Sequence, residues 1–337
     1  MQLLEKVLAD SEDDSLEIET LDELAKTPEL RTVTQLNLSE VILGREGAAV
    51  LFGSRFLDSI QYVALSDEDS QLEIMNLLVQ ASMPGLRHLE MRGYMQAALG
   101  DEGVGVLVES ALSSKLESLA LFNCRIGAKG AAGLAAAKGL VNLRHLRLGG
   151  GSYSHNEIAA EGAEAIATSE SLSGLTLLDF NFNGIGDAGV EALGKSRSLT
   201  KLTNLYLEGN GFGYQGFKHL CVSDMLDRVE VLVLSHNELT SRAVEGLVTA
   251  APPRLKTLWF YHNQIDDKGV RILVNSPLAE QLQSINLRQV GMSDQGAESV
   301  LAARGLDGLQ ELYVGLNDLS QESHSALLRR FGSALLG

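Results

Sequence analysis

The sequence predicts an α/β solenoid of about eleven strand-turn-helix repeats, with a parallel sheet on a concave face and helices on the convex face. Three observations predict it. A leucine-rich segment recurs along the 337-residue chain at spacings of 26 to 32 residues, the mark of a repeat architecture. Each copy alternates leucine with other residues, as a half-buried strand does. The following residues place a glycine and an apolar residue four positions apart, on one face of a helix.

The strand half of the repeat is clearest in the segments LTNLYLEGNGFG from Leu202 and LKTLWFYHNQID from Leu255, and weaker copies begin at Val33 and Ile60. The leucines are predicted to point inward and the residues between them outward. An asparagine follows the strand in a tight turn, where its amide can satisfy backbone groups. That position holds Asn183, Asn210, Asn237, Asn263 and Asn317, and Cys124 in the fourth repeat.

The pattern L-x-x-L-x-L-x-x-N-x-L resembles the leucine-rich repeat. Units of 26 to 28 residues with a full helix are similar to the ribonuclease-inhibitor-like subfamily, which includes the Ran GTPase-activating protein. The resemblance covers about residues 33–337 and implies a horseshoe-shaped solenoid. The final segment SHSALLRRFGSALLG is predicted to form a C-terminal capping helix that closes the last repeat. A solenoid leaves its core open at each end. Residues 1–32 are therefore predicted to form an N-terminal cap of two short amphipathic helices.

Composition narrows the function classes. Lysine and arginine number 27 against 44 acidic residues, a formal charge of −17, which disfavours nucleic acid and anionic membranes as partners. No apolar run reaches the ~20 residues that span a bilayer, and the start lacks the basic region of a signal peptide. Cys124 and Cys221 lie three repeats apart, too far for a disulfide, so both are predicted to be buried free thiols. We expect a cytoplasmic protein.

One segment mimics a nucleotide site. GVEALGKS, residues 189–196, matches the phosphate-loop pattern, and GFGYQG, residues 211–216, matches the dinucleotide fingerprint. Both lie in register with the helical halves of other repeats, so the amides that a phosphate would need are expected to be used within the fold. The histidines show no metal-binding spacing either. We therefore expect no nucleotide, no cofactor, no metal and no enzymatic activity.

Two groups of outward-facing residues are the candidate partner-binding sites. Aromatic residues and arginine dominate binding hot spots. The first group, in repeats three to five, is His88, Arg92, Phe122, His145 and Arg147. The second, in repeats seven to eleven, is Tyr206, Val233, Trp259, Tyr261, Arg288 and Tyr313. Two insertions, at residues 93–100 and 149–157, lie on one rim near the first group, where added residues often mark a binding edge.

The leading hypothesis is a non-enzymatic recognition scaffold that binds a protein partner on its concave face and rim loops. Two alternatives stay open. The resemblance to the Ran GTPase-activating protein implies regulation of a small GTPase through rim residues, for which Arg92 or Arg125 is the available arginine. A secreted bacterial effector with a repeat-based binding domain is the other.

Overall fold

The computed structural model describes residues 18–67, 70–93, 99–151 and 155–336. These residues form two compact units. The first comprises the described residues up to Ile158 together with Ser169–Leu175, and the second comprises Ala159–Thr168 together with the described residues from Thr176 onward. Repeated strand-helix units build both, as the sequence predicts.

Parallel strands run in chain order within each unit, each paired with its sequence neighbours. The first unit holds β1 (Gln35–Leu38), β2 (Tyr62–Asp67), β3 (His88–Gly93), β4 (Ser118–Phe122) and β5 (His145–Arg147). The second unit holds β6 (Leu177–Asp179), β7 (Asn204–Tyr206), β8 (Val231–Val233), β9 (Thr257–Trp259), β10 (Ser284–Asn286), β11 (Glu311–Tyr313) and β12 (Leu335–Leu336).

Helices alternate with these strands along the chain. The first unit holds α1 (Ile18–Lys26), α2 (Gly44–Phe52), α3 (Gln71–Leu78), α4 (Gly100–Glu109) and α5 (Ala128–Ala136). The second holds α6 (Ala159–Thr168), α7 (Gly186–Gly194), α8 (Tyr214–Cys221), α9 (Ser241–Ala250), α10 (Asp266–Val274), α11 (Asp294–Ala302) and α12 (Gln321–Phe331). Short 3-10 turns lie at Pro28–Thr32, Ser113–Lys115, Lys138–Asn142, Pro277–Gln281, Arg304–Leu306 and Gly332–Ala334.

The core lies between strands and helices, and the predicted inward leucines fill it. Leu205 on β7 and Leu119 on β4 are fully buried. From the helices come the apolar residues four positions after the glycine, such as Leu193 on α7 and Leu273 on α10. The assignment of the leucines to inward strand positions is therefore confirmed.

Asparagine side chains join successive repeats, as predicted from the turn position. Asn210 accepts hydrogen bonds at Oδ1 from the backbone amides of Asn183 (3.1 Å) and Ile185 (3.3 Å). Its Nδ2 donates to the carbonyl oxygens of Phe180 (2.9 Å) and Glu208 (3.1 Å). One buried side chain thus satisfies two backbone amides and two backbone carbonyl groups. We call this series the asparagine ladder.

In the first unit the ladder position differs. Cys124 is buried there, with Sγ 3.3 Å from the carbonyl oxygen of Phe122. The sequence pattern missed Asn156, which accepts from the amide of Ile126 (2.9 Å) and donates to the carbonyls of Leu121 and Leu148 (2.8 Å each). Asn156 performs the ladder function at the end of the second insertion, displaced from the expected spacing.

A second series of contacts links the helices. Asp187, at the start of α7, accepts at Oδ1 from the amides of Gly213 (3.0 Å) and Gly216 (2.8 Å) in the next repeat. Asp267 does the same for Ser293 and Gly296. A carboxylate is favourable beside the free amides of a helix N-terminus. We call these contacts aspartate staples.

GVEALGKS is helical, as predicted. The helix α7 covers Gly189 to Gly194. A Cβ placed at Gly194 would lie 2.6 Å from the carbonyl carbon of His219, so this glycine allows two helices to approach closely. In GFGYQG, Phe212 is fully buried and α8 begins at Tyr214.

The termini differ in part from expectation. The second predicted cap helix is α1, with Leu21 and Leu24 buried, whereas the first predicted one lies outside the described residues. At the other end the helix stops at Phe331 because Gly332 adopts a left-handed backbone (φ +54°). The predicted C-terminal helix is present as α12, and Leu335 and Leu336 after it pair with β11 as a twelfth strand.

Candidate functional site

The aromatic strip lies on the outward face of the second unit's strands and on residues that closely follow them. Its members are Tyr206, Trp259, Tyr261, Arg288 and Tyr313. The register places Tyr206, Val233, Trp259, Asn286 and Tyr313 side by side on β7 to β11. Four of the sequence-predicted residues therefore share one row across adjacent strands.

Trp259 and Tyr313 contact each other although they lie two strands apart. Their ring centroids are 6.2 Å apart in an edge-to-face arrangement, a favourable geometry for two aromatic rings. Asn286, between them in the register, is buried and accepts at Oδ1 from the backbone amide of Arg288. Because the middle position holds a small buried side chain, the two rings close over it.

A hydrogen-bond chain fixes the indole. Trp259 Nε1 donates to Ser284 Oγ (3.1 Å), which in turn donates to Glu311 Oε2 (2.7 Å). The single polar group of the tryptophan is thereby satisfied within the protein. What the half-buried side chain still presents is an oriented apolar surface.

Val233 is not part of the exposed surface of the aromatic strip. The sequence places it on the outward face, and the register confirms that position, but its side chain is only 2 % exposed. It lies between Tyr206 and Trp259, whose larger side chains leave it no exposed surface. Its predicted role in contacting a partner is wrong, and it serves as packing beneath the strip.

Next to the strip lies a group that the sequence reasoning missed, which we call the histidine ledge: Phe182, His236 and His262. Each residue directly precedes a ladder asparagine and has a left-handed backbone, with φ of 54°, 53° and 56°. The rings of His236 and His262 stack with centroids 4.4 Å apart, and Phe182 lies 5.9 Å from His236. In the sequence, the signal that could have found these residues is that each directly precedes a ladder asparagine.

Tyr261 joins the ledge to the strip. Its ring meets His236 edge-on at 4.6 Å, and the Arg288 guanidinium lies 5.5 Å from the centre of the tyrosine ring. Strip and ledge therefore form one surface of aromatic rings, imidazoles and a guanidinium on adjacent repeats.

Two ionisable groups of this surface are shifted by burial. Burial raises the pKa of Glu208, and the nearby Asp179 carboxylate adds to the rise. Burial lowers the pKa of His236, and the neighbouring His262 lowers it further. His236 Nε2 lies 3.6 Å from Glu208 Oε1. Since the low pKa keeps the imidazole neutral at neutral pH, we treat this contact as polar and not as an ion pair.

The first group of predicted residues, which we call the basic strip, lies on the strands of the first unit. The register aligns His88 with His145 across Ser118, and Arg92 with Phe122. His145 and Arg147 are exposed. Burial lowers the pKa of His145, and the positive charges of Arg147 and His88 contribute to that decrease.

Arg92 is already engaged within the protein. Its Nε lies 2.7 Å from Glu90 Oε1, and its guanidinium carbon lies 4.8 Å from the centre of the Phe122 ring. Glu90 compensates the charge of Arg92, and Arg92 covers the Phe122 ring, so both predicted residues are already used within the fold.

Several predicted features lie apart from these surfaces or outside the described residues. Arg125 is exposed on a left-handed backbone directly after Cys124. Residues 94–98 and 152–154, the middle of the two insertions, lie outside the described residues. Both cysteines are free, but only Cys124 is buried; Cys221 is partly exposed, so that prediction is wrong for one of the two.

Two searches over the described part of the chain had negative outcomes. None of its helices is both long enough and apolar enough to cross a membrane. No three histidine, cysteine, aspartate or glutamate side chains in those ranges are grouped so that they could hold a metal ion.

Known proteins were compared with the chain by sequence and by structure. A family model described as a leucine-rich repeat matches residues 112–135, 154–167 and 174–194. None of the curated proteins is significantly similar in sequence. A chain in the crystal structure of the yeast Rad7 and Elc1 complex is similar with a TM-score of 0.57 and 14% identity, covering 98% of this chain and 80% of that one.

Two further solved structures are similar at lower scores. An internalin from Listeria monocytogenes has a TM-score of 0.48 and 17% identity, with 98% of this chain and 94% of that chain covered. A Bacteroides fragilis protein has a TM-score of 0.48 and 15% identity, covering 82% and 74%. The asparagine ladder and the parallel strands in chain order within each unit give the chain the fold of a leucine-rich repeat solenoid, and the family model matches three of its segments.

Proposed function

We propose that this chain is a non-enzymatic recognition module whose second unit binds a protein partner on the aromatic strip and the histidine ledge. The observation that carries the proposal is the oriented Trp259 indole, held against Tyr313 and hydrogen-bonded through Ser284 to Glu311. An aromatic ring fixed before binding loses little conformational entropy when a partner covers it. Aromatic anchors of this kind are typical of binding hot spots.

The surroundings of the strip support the same proposal. Its polar groups are satisfied internally at Trp259 and Ser284, and His236 is held neutral by its low pKa. Covering such a surface leaves few charges to desolvate. The similar yeast structure is that of a complex of two proteins, which is in keeping with a protein partner here. The two free thiols favour a reducing compartment such as the cytoplasm.

Regulation of a small GTPase through Arg92 or Arg125 is the second function considered. It requires an arginine free to reach a partner, and Arg92 is held by Glu90 and Phe122. No observation on the described residues favours this function over recognition by the aromatic strip. It serves as the competing outcome of the experiment below.

The test begins with the partner. Proteins that co-purify with the chain from its native cell are identified by mass spectrometry, and the affinity of each is measured for single-residue variants. We expect Trp259→Ala to weaken the partner by about 2 kcal/mol, roughly thirtyfold, with an unchanged circular dichroism spectrum. Thr257→Ala is the matched control, because it lies on the same strand two residues earlier.

The outcome that contradicts the proposal is specific. Full binding by Trp259→Ala, together with lost binding or lost stimulation of GTP hydrolysis in Arg92→Ala or Arg125→Ala, would favour the GTPase function. Trp259→Phe adds a further discrimination, because it keeps an aromatic ring and removes the donor to Ser284. We expect it to retain more affinity than the alanine variant.

A further inference from the structure

A groove lies between helices α8 and α9 of the second unit, on the side of the repeats opposite to the aromatic strip. Its volume is about 680 Å³, within the roughly 300–1,000 Å³ range of ligand sites. The groove is lined from α8 by Tyr214, Lys218 and Cys221 among others and by Val222, the residue after this helix. From α9 it is lined by Arg242, Gly246 and Ala250 among others. None of these residues belongs to the proposed partner surface.

The sequence explains why the helices separate here. In the repeats of α7 and α10 the equivalent position holds the aspartate of the staple, Asp187 and Asp267. In the repeat of α8 that position holds Tyr214. The tyrosine ring occupies the space between the helices, with the Arg242 guanidinium 4.5 Å from its centre.

On the wall of the groove formed by α9, the residue next to α8 is a glycine, Gly246. A Cβ placed at Gly246 would meet only side-chain atoms, with Tyr214 Cε2 at 3.0 Å and Cys221 Sγ at 3.4 Å. At Gly194, by contrast, the neighbouring helix brings its backbone within 2.6 Å. The α8 and α9 backbones therefore leave room between them that the α7 and α8 backbones do not.

The surface of the groove is apolar and its rim is basic. Val222 is 84 % exposed, the largest exposure among the large apolar side chains of the described residues. Lys218 and Arg242 flank the groove, and in the described chain neither forms an ion pair. Glu245, the acidic residue of the lining, is paired with Lys268, with Oε1 2.6 Å from Nζ. Lys218, which donates to Gln215 Oε1 (2.8 Å), and Arg242 thus place one positive side chain from each helix at the rim of the groove.

We propose that this groove is a second docking site, which takes an acidic amphipathic peptide segment of a protein partner. An apolar side chain of the segment packs against Val222, Ala250 and Gly246, while its carboxylates lie beside Lys218 and Arg242. The helices that form the groove are 8 and 10 residues long, about 12 and 15 Å, which matches two to three turns of a bound helix. The groove is open along its length, and this favours a peptide over an enclosed small molecule.

The test uses a displayed library of random 16-residue peptides, selected on the full chain after removal of peptides that bind Val222→Asp. Because Val222 is exposed, the substitution places a charge on the surface without disturbing the core. We expect the selected peptides to carry net negative charge and at least one large apolar residue. Their affinities, measured by fluorescence anisotropy, should fall about tenfold or more in Val222→Asp and in the Lys218→Glu, Arg242→Glu double variant.

Matched controls separate this site from the others. Val141→Asp changes another exposed valine (55 % exposed) in the first unit and should leave binding unchanged. Trp259→Ala should also leave it unchanged, so failure here is distinguishable from failure of the proposed function. Gly246→Met, which fills the groove with a flexible apolar side chain, repeats the test without adding charge and covers the case in which Val222→Asp does not fold.

The thiols give an independent measurement. Cys221 lines the groove and is partly exposed, whereas Cys124 is fully buried and acts as the internal reference. A bound peptide should slow alkylation of Cys221 and leave Cys124 unaffected. Selected peptides that are basic, that bind the Lys218→Glu, Arg242→Glu double variant as well as the wild type, or that leave Cys221 alkylation unchanged would overturn the proposal. Selection of no peptide that discriminates the wild type from Val222→Asp would overturn it as well.

Discussion

The strand faces of the two units carry similar residue types but use them differently. In the first unit, Arg92 covers Phe122 and pairs with Glu90, so an aromatic ring and two charges satisfy one another. In the second, Trp259 and Tyr313 contact each other and remain half-buried, and no guanidinium covers them. The comparison shows that counting aromatic and basic residues does not locate a binding surface. What matters is which side chains are already used within the fold.

We expect the largest loss of stability from substitutions in the cores, and this loss should be equal in the two units. Leu205→Ala in the second unit and Leu119→Ala in the first each remove a fully buried side chain. Both should lower the free energy of unfolding by about 2–5 kcal/mol through the cavity left behind. Urea denaturation followed by circular dichroism measures it. Leu328→Ala, at an exposed position of α12, is the control.

If either leucine variant lost less than about half a kcal/mol, the assignment of inward positions in that unit would be out of phase. The comparison of the two faces would then fail as well, because the residues considered outward would be misassigned.

The turns of the two units should differ in how much their ladder residue contributes to stability. Asn237→Ala removes one acceptor and three donor contacts that satisfy buried backbone groups, and we expect a loss of about 1–3 kcal/mol. Cys124→Ala, at the same ladder position in the first unit, removes only weak contacts of a thiol and should lose less. Equal losses measured by urea denaturation would show that the thiol contributes as much as the amide.

The charges on the strand faces predict a smaller effect. Arg92→Ala removes a half-exposed ion pair and a cation–π contact, and should lower the free energy of unfolding by roughly 0.5–1 kcal/mol. Arg288→Ala should lose less, because its guanidinium lies farther from the tyrosine ring, at 5.5 Å. A larger loss for Arg288→Ala than for Arg92→Ala would contradict the view that Arg92 is the engaged arginine.

The smallest effect concerns pH. The pKa of His236 is lowered in the folded protein, so the folded state favours the neutral imidazole. Its contribution to stability is complete above the ordinary pKa near 6.5 and decreases as the pH falls below that value. His236→Gln should therefore lose less stability than the wild type between pH 7.5 and 5.5. Denaturation midpoints at both pH values check this, and an equal decrease in the two proteins would contradict it.

The effect of Glu208 on stability changes with pH in the opposite direction to that of His236. Its pKa is raised, so the folded state favours the protonated carboxyl, and ionisation at higher pH reduces stability. Glu208→Gln should remove the loss that begins as the pH rises above the ordinary pKa of 4.5, and denaturation midpoints measured upward from that pH check it.

The sequence was sufficient for the repeat, the inward leucines and most of the asparagine ladder, because each depends on local spacing. Asn156 escaped because an insertion displaced it from that spacing. Val233 was misjudged because its burial depends on the sizes of Tyr206 and Trp259 on adjacent strands, about 27 residues away. The histidine ledge also depends on contacts between repeats, and on a left-handed backbone that brings the rings together. Such contacts are set by stacking, which a single repeat does not reveal.

The interrupted aspartate staples have a consequence for how the second unit opens. A repeat array is stabilised by each repeat and by its interfaces with its neighbours, so a weaker interface divides the array into separately opening segments. Within the described chain, α9 receives no staple from Tyr214, and Ser241 provides none to α10. Backbone amides of α9 should therefore exchange with solvent deuterium faster than those of α8 or α11, whose first amides are held by Asp187 and Asp267. The helix that forms one wall of the groove is then also one that opens more readily than α8 or α11.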